Sequence, residues 1–272
     1  MNTKQISWPL LMTVVLLVIL ALFTAAGLAQ AEAAGDPYAY LRTYEFGQNR
    51  APLYVIEQAV NAAAAEKAGA EDAATVEKNL CAALDAGCTL EAKRFICRQL
   101  KTIGHEACVP ALEKLLAAPE TLQAALTALE SNPTDAAADA ILGAVQANKD
   151  RAKIAAVASL GRQASKKAAP ALVGLLTDAD TAVVEQAALS LGELKDAAGC
   201  AALFDTLKKA AADKRALYTD VCFQCAQAEG LADKAEWLAY LNGRDFPGYV
   251  RVAALGGLVK LNPEKAPALI VA

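Results

Sequence analysis

Pro170-Ala-Leu-Val-Gly-Leu-Leu176 decides the fold, because it recurs along the chain. Pro110-Ala-Leu-Glu-Lys-Leu-Leu116 is its near copy, Ala140-Ile-Leu falls between the two, and Ala202-Leu-Phe and Pro267-Ala-Leu follow. Leu112, Ile141, Leu172 and Leu203 are spaced by 29, 31 and 31 residues. The step from Leu203 to Leu269 is 66 residues, the length of two somewhat longer units, with Trp237 near the missing position. A second apolar series, Leu100, Leu129, Leu160 and Leu191, keeps the intervals 29, 31 and 31 just upstream. Two phase-locked series at a period of about 31 predict two helices per unit.

Each unit reads alike. A first helix carries apolar residues at helical spacing, as in Ile154, Val157, Ala158 and Leu160, or Val184, Ala187, Ala188 and Leu191. Gly104, Gly161 or Gly192 is expected to break that helix at or near its end. Pro110 and Pro170 fall where a first-turn proline is tolerated, since its missing N–H has no helical partner. A second helix follows, and an Asp- or Pro-containing turn such as Thr177-Asp-Ala-Asp180 leads onward. One such hairpin cannot bury both of its faces, so neighbours must stack. The prediction is all-α: an α-solenoid of about six to seven antiparallel hairpins over 34–272.

Composition agrees. Of the 272 residues 65 are alanine, while aromatics make up only 6%. Alanine favours helix and allows close helix contacts; sandwiches and barrels need β-branched and aromatic strands. An apolar chain with net charge −4 is not a disordered one, and mild acidity gives no overall attraction to nucleic acid.

Leu100-Lys-Thr-Ile-Gly104 followed by Val109-Pro-Ala-Leu-Glu-Lys-Leu-Leu116 resembles HEAT repeats of the short type first grouped with phycobilisome lyases. Ala187-Ala-Leu-Ser-Leu-Gly-Glu-Leu194 is similar to the first helix of the same unit. The likeness is clearest over 91–207. Tyr44-Glu-Phe-Gly-Gln-Asn-Arg50, Leu53, Ile56-Glu57 and Lys93-Arg-Phe-Ile-Cys-Arg-Gln-Leu100 also resemble exported HEAT-repeat proteins of planctomycete and verrucomicrobial type bacteria. The resemblance implies a solenoid superhelix and carries no activity.

Residues 1–33 read as a signal peptide or an N-terminal membrane anchor. Lys4 precedes an apolar run from Trp8 to Leu28, and Ala29-Gln30-Ala31 and Ala31-Glu32-Ala33 offer small-x-small cleavage points. The expected location is periplasmic or secreted, with membrane contact only through this segment if it stays uncleaved.

Seven cysteines in an exported chain raise a disulfide reading. Residues equidistant from a hairpin turn lie level, which selects Cys81 with Cys97 and Cys200 with Cys222. The other reading makes most of them small buried apolar residues. Cys222-Phe-Gln-Cys225 lies in mid-helix, lacks the helix N-terminus that a redox thiol uses, and has no second pair to complete a zinc site.

One histidine, His105, removes most catalytic templates, and no nucleophile elbow, phosphate loop or H-E-x-x-H occurs. No catalytic, cofactor or metal residue is assigned, and no enzyme activity is expected. Two sets of residues are candidates for partner binding. Arg94, Arg98 and Lys101, with Arg162, belong to a broken basic stripe that continues through Lys166, Lys167, Lys208, Lys209, Lys214 and Arg215. These cations could instead complement helix dipoles. Tyr218, Trp237 and Tyr240 form a late aromatic group with Phe223, either a pocket for a partner or filler for a wider gap. Tyr38, Tyr40, Tyr44 and Phe46 are expected to cap the first hairpin. The expected role is a protein-binding scaffold. The alternatives are a lyase- or chaperone-like helper of a cofactor-bearing protein and a purely structural envelope spacer.

Overall fold

The computed structural model describes residues 35–226 and 234–265, and all regular structure among them is helical. A short helix α1 (Pro37–Tyr40) is followed by α2 (Ala51–Ala64), α3 (Ala73–Asp85), α4 (Leu90–Ile103), α5 (Val109–Leu115), α6 (Pro119–Glu130) and α7 (Asp135–Ala147). Then come α8 (Asp150–Gln163), α9 (Ala169–Leu175), α10 (Thr181–Leu194), α11 (Ala197–Lys209), α12 (Ala212–Cys225), α13 (Lys234–Leu241) and α14 (Gly248–Leu261). From α2 onward first and second helices alternate, as in an α-solenoid of helical hairpins. The signal or anchor segment, Leu269 and the tail Ile270-Val-Ala272 lie outside the described residues.

The chain divides into two compact units, 1–111 and 112–272. In the first, α1 packs on α2 and α3, and α2 and α3 both pack on α4. In the second, first helices stack in order, α6 on α8, α8 on α10 and α10 on α12. Second helices cover the seams: α7 packs on α8, α9 on α10 and α11, and α11 on α12. The periodic leucines make this stacking favourable. Leu129, Leu160, Leu191, Ile141, Leu172 and Leu203 are all at 0% exposure, and each buried side chain of this size contributes about 1.5–3 kcal/mol.

Helix starts are written locally. Asp72, Thr89, Thr134, Asp180 and Asp196 each accept a backbone N–H of the turn that follows, satisfying donors that have no partner within the helix. Pro110 and Pro170 fall in the first turns of α5 and α9, as expected.

Helix ends differ from the sequence reading. Gly161 and Gly192 lie inside α8 and α10, and the residues that leave those helices in left-handed geometry are Ala164 (φ 62°) and Lys195 (φ 50°). Gly104 ends α4 with an extended backbone (φ −63°, ψ 136°). The intrahelical glycines serve packing instead. A Cβ on Gly161 would lie 2.8 Å from the Cα of Ser190, and one on Gly192 would lie 2.5 Å from Val221 Cγ1. Both are the points where one first helix presses on the next. Left-handed geometry costs a residue bearing a Cβ about 1–2 kcal/mol. Ala164→Gly and Lys195→Gly are therefore each expected to raise stability by about 0.5–1 kcal/mol, after the added freedom of the unfolded glycine is subtracted. A lower urea midpoint for both would contradict the left-handed assignment.

Candidate functional site

Polar contacts between neighbouring hairpins repeat with the period of the leucines. Glu130 ends α6, and its Oε1 accepts from Arg162 Nη2 (2.6 Å) and Ser159 Oγ (2.7 Å) on α8. Gln163, buried at the end of α8, donates to the carbonyls of Asn132 (3.0 Å) and Thr134 (3.2 Å) and accepts from the Ser165 N–H. Ser190 Oγ on α10 donates to the Val157 carbonyl (3.0 Å). Lys167 pairs with Asp139 (2.6 Å), Lys153 with Asp178 (2.6 Å) and Lys214 with Glu185. The Glu130 hydrogen bond holds the Arg162 guanidinium above its usual range, and the Lys153 hydrogen bond holds the Asp178 carboxyl below its own.

These contacts take up much of the proposed basic stripe. Arg162 bridges to the preceding hairpin, Arg94 pairs with Glu91 of its own helix (2.7 Å), and Arg98 lies over the Phe95 ring (5.8 Å). Lys101 is exposed in the last turn of α4, where a cation favours the helix dipole. Arg94, Arg98 and Lys101 belong to the first unit and Arg162 to the second.

The aromatic group is core. Tyr218 and Trp237 are 6% and 3% exposed. Trp237 stacks on Phe204 (4.7 Å), while half-buried Tyr240 meets Phe204 (5.4 Å) and Phe246 (5.3 Å) edge-on. Phe204 stands where Leu142 and Val173 stand in earlier units, so a larger gap is filled by larger rings. Burial of Tyr218 and Trp237 removes them as a partner surface. Of the N-terminal aromatics Tyr44 is buried, whereas Phe46 is 87% exposed and caps nothing among the described residues.

The disulfide joins Cys200 to Cys225 rather than to Cys222. Counting levels from the turn points to Cys222, but Cys225 lies one turn further on the same helix face, and counting alone cannot separate residues three apart. The Cys200 and Cys225 Cα atoms are 5.6 Å apart. Cys81 and Cys97 are free thiols instead of a pair. Burial pushes the Cys81 thiol up to about 11 and the Cys97 and Cys222 thiols up to about 12, so they stay protonated and poorly nucleophilic at neutral pH. Among the described residues no group of three or more His, Cys, Asp or Glu could hold a metal ion, and no helix is long and apolar enough to cross a membrane.

One functional-looking group escaped the sequence reading. Glu77, on α3 and only 3% exposed, accepts from the backbone N–H groups of His105 (2.8 Å) and Cys108 (2.9 Å). It anchors the 3-10 turn Glu106–Cys108, which precedes α5. No pattern marks it, because its partners are backbone groups about thirty residues away in the chain. Glu77→Ala removes the acceptor of one buried N–H, that of Cys108, and of one part-buried N–H, that of His105, and a loss of about 2–3 kcal/mol is expected. Glu77→Gln keeps an acceptor oxygen and should lose less than half of that. Thermal melts within 0.5 kcal/mol of the unaltered protein, on the order of an ordinary surface change, would show that the anchor contributes nothing.

The second helices also present exposed positions at the period of the fold. Gly143 on α7 and Gly174 on α9 occupy equivalent positions 31 residues apart, are exposed, and have no atom within 4 Å of an added Cβ. No curated protein matches the chain. Residues 143–218, from the second half of α7 into α12, match the family model described as HEAT repeats.

Proposed function

We propose that this protein is a binding module for another protein and performs no chemistry of its own. The observation that carries this reading is the bare helical backbone at Gly143 and Gly174, two exposed positions one period of the fold apart on successive second helices. A glycine inside an exposed helix costs about 1 kcal/mol relative to alanine. With no neighbour needing the space, its effect is to let an external surface approach the backbone. HEAT repeats generally serve as scaffolds for protein partners, which favours the same role.

Export belongs to this proposal. The layout of residues 1–33 supports it, as does a disulfide, which persists in oxidising compartments. The finer likeness, to lyase-associated short repeats and to exported bacterial proteins, rests on the residues quoted above. Within it the helper of a cofactor-bearing protein remains a variant of the same binding role, and an envelope spacer its simplest form. A photo-crosslinking residue placed at Gln146 or Thr177, each exposed three residues beyond one of these glycines, is expected to capture one stoichiometric protein in the native host, and the same residue at Phe46 should not. Gly143→Ala with Gly174→Ala should raise stability yet weaken that capture. Absence of any crosslink at 146 and 177 would overturn the reading. A purified protein that retains residues 1–33 by mass would overturn cleaved export.

A further inference from the structure

A groove late in the chain has charges of one sign only. It lies where α13 and α14 pack on each other beside the end of α12, and its volume is about 540 Å³. Its apolar lining includes Phe223, Leu238, Gly256 and Leu261, while Lys234 and Lys260 are the only charges among its described lining residues. Other grooves mix their signs: Arg42 shares one with Asp36, and Lys149 and Lys153 share another with Asp150, Asp178 and Asp180. Lys234 is half-buried and Lys260 exposed, and neither has an ion-pair partner among the described residues.

Helix pairing puts both lysines at one end. α13 and α14 form an antiparallel pair, and a Cβ added to Gly257 would lie 2.8 Å from Leu238 Cδ1, so 257 is level with 238. Further from the turn, Lys234 is then level with Leu261, beside Lys260. An apolar track leads away from that end. Gly256, Ala253, Val252 and Tyr249 share the exposed face of α14 with Lys260 at helical spacing. Val252 is 71% and Tyr249 70% exposed, and a Cβ added to Gly256 meets nothing within 4 Å. From Lys260 to Tyr249 the helical rise gives about 16 Å, the scale of an extended dodecyl chain. Arg251 is exposed too, and at the turn end its Nε donates to the Asn242 carbonyl (3.3 Å).

We propose that this groove binds a free alkyl carboxylate, with its carboxylate at Lys234 and Lys260 and its chain along Gly256, Ala253 and Val252. Small-molecule sites are mostly apolar clefts of a few hundred cubic ångströms with a few convergent polar groups, and this groove has that make-up. The carboxylate gives the two ammonium groups charge-assisted hydrogen bonds, and the chain takes the exposed apolar track out of water. The site does not depend on the protein-binding role proposed above.

Titration calorimetry of the full chain with dodecanoate, kept below its micelle concentration, is expected to show one saturable site. Octanoate, four methylenes shorter, should bind at least about tenfold more weakly, since each buried methylene is worth up to about fourfold in affinity. Lys234→Glu with Lys260→Glu should also weaken dodecanoate by about tenfold or more, roughly the worth of one charge-assisted contact, without lowering the melting temperature. Gly256→Trp fills the groove and should abolish binding, whereas Gly174→Trp should not. Absence of a saturable site would overturn the proposal, as would unchanged affinity in the lysine variant. So would equal affinity for dodecyltrimethylammonium, which has the chain without the anion. Binding to vesicles of anionic phospholipid without binding of free dodecanoate would assign the lysines to a lipid surface and overturn it too.

Discussion

Gly161→Leu is expected to cost about 3 kcal/mol or more and to weaken the coupling between α8 and α10. The Cβ alone would sit 2.8 Å from both Cα and Cβ of Ser190, and 2.8 Å from a Glu193 carboxylate oxygen. Backbone of a packed helix cannot retreat as a flexible side chain can, so α8 and α10 must separate. Separation breaks the hydrogen bond from Ser190 Oγ to the Val157 carbonyl and disturbs the packing of Leu160 and Leu191. Overpacking of this kind costs about 1–3 kcal/mol before such losses are added. In a stacked array stability is close to a sum of units and nearest-neighbour interfaces. One weakened interface should therefore broaden or split the urea transition as well as lower its midpoint. Gly174→Ala is the control, because nothing lies near its Cβ; it should be neutral or stabilising. A single sharp transition for Gly161→Leu at the unaltered midpoint would show that the close approach is not needed.

The fold was legible because its rule is periodic. Leu160 and Leu191 carry the same message 31 residues apart, and stacking follows from a hairpin that cannot cover itself. What escaped depends on contacts between residues a whole unit apart. Gly161 looks like a helix stop in its own stretch, and only Ser190 shows that it makes room for a neighbour. Ala164 and Lys195 carry no sign of left-handed geometry, since tertiary packing imposes it. Arg162 looked available to a partner until Glu130 came within 2.6 Å. Trp237 looked like an anchor until Phe204 met its face. The burial of Trp237 and the pairing of Arg162 thus belong to the stack and not to the residue, whereas Arg98 and Lys101 are exposed. The equivalence of Gly143 and Gly174, by contrast, is plain in the sequence once the register is written out.

Replacing Cys200 and Cys225 together by alanine is expected to cost about 3.5 kcal/mol, the loop-closure entropy for a separation of about 25 residues. Cys200 lies near the start of α11 and Cys225 ends α12, so the bond clamps the open end of a hairpin whose other end is already closed by its turn. Both sulfurs lie in the buried cluster that includes Leu203, Phe204, Trp237 and Leu241. Loss of the clamp should therefore loosen α12 and α13 first, and hydrogen exchange there should rise before it rises in α8. At about 2–4 °C per kcal/mol for a chain of this size the melting temperature should fall by roughly 7–14 °C. A reductant should produce the same fall in the unaltered protein and none in the double alanine variant. Cys222→Ala should behave differently, because a buried protonated thiol contributes packing but no chain constraint; its loss should be small and insensitive to reductant. Peptide mapping under non-reducing conditions gives the decisive pairing: a fragment linking Cys200 to Cys222 would refute the clamp as described, and one linking Cys200 to Cys225 is expected.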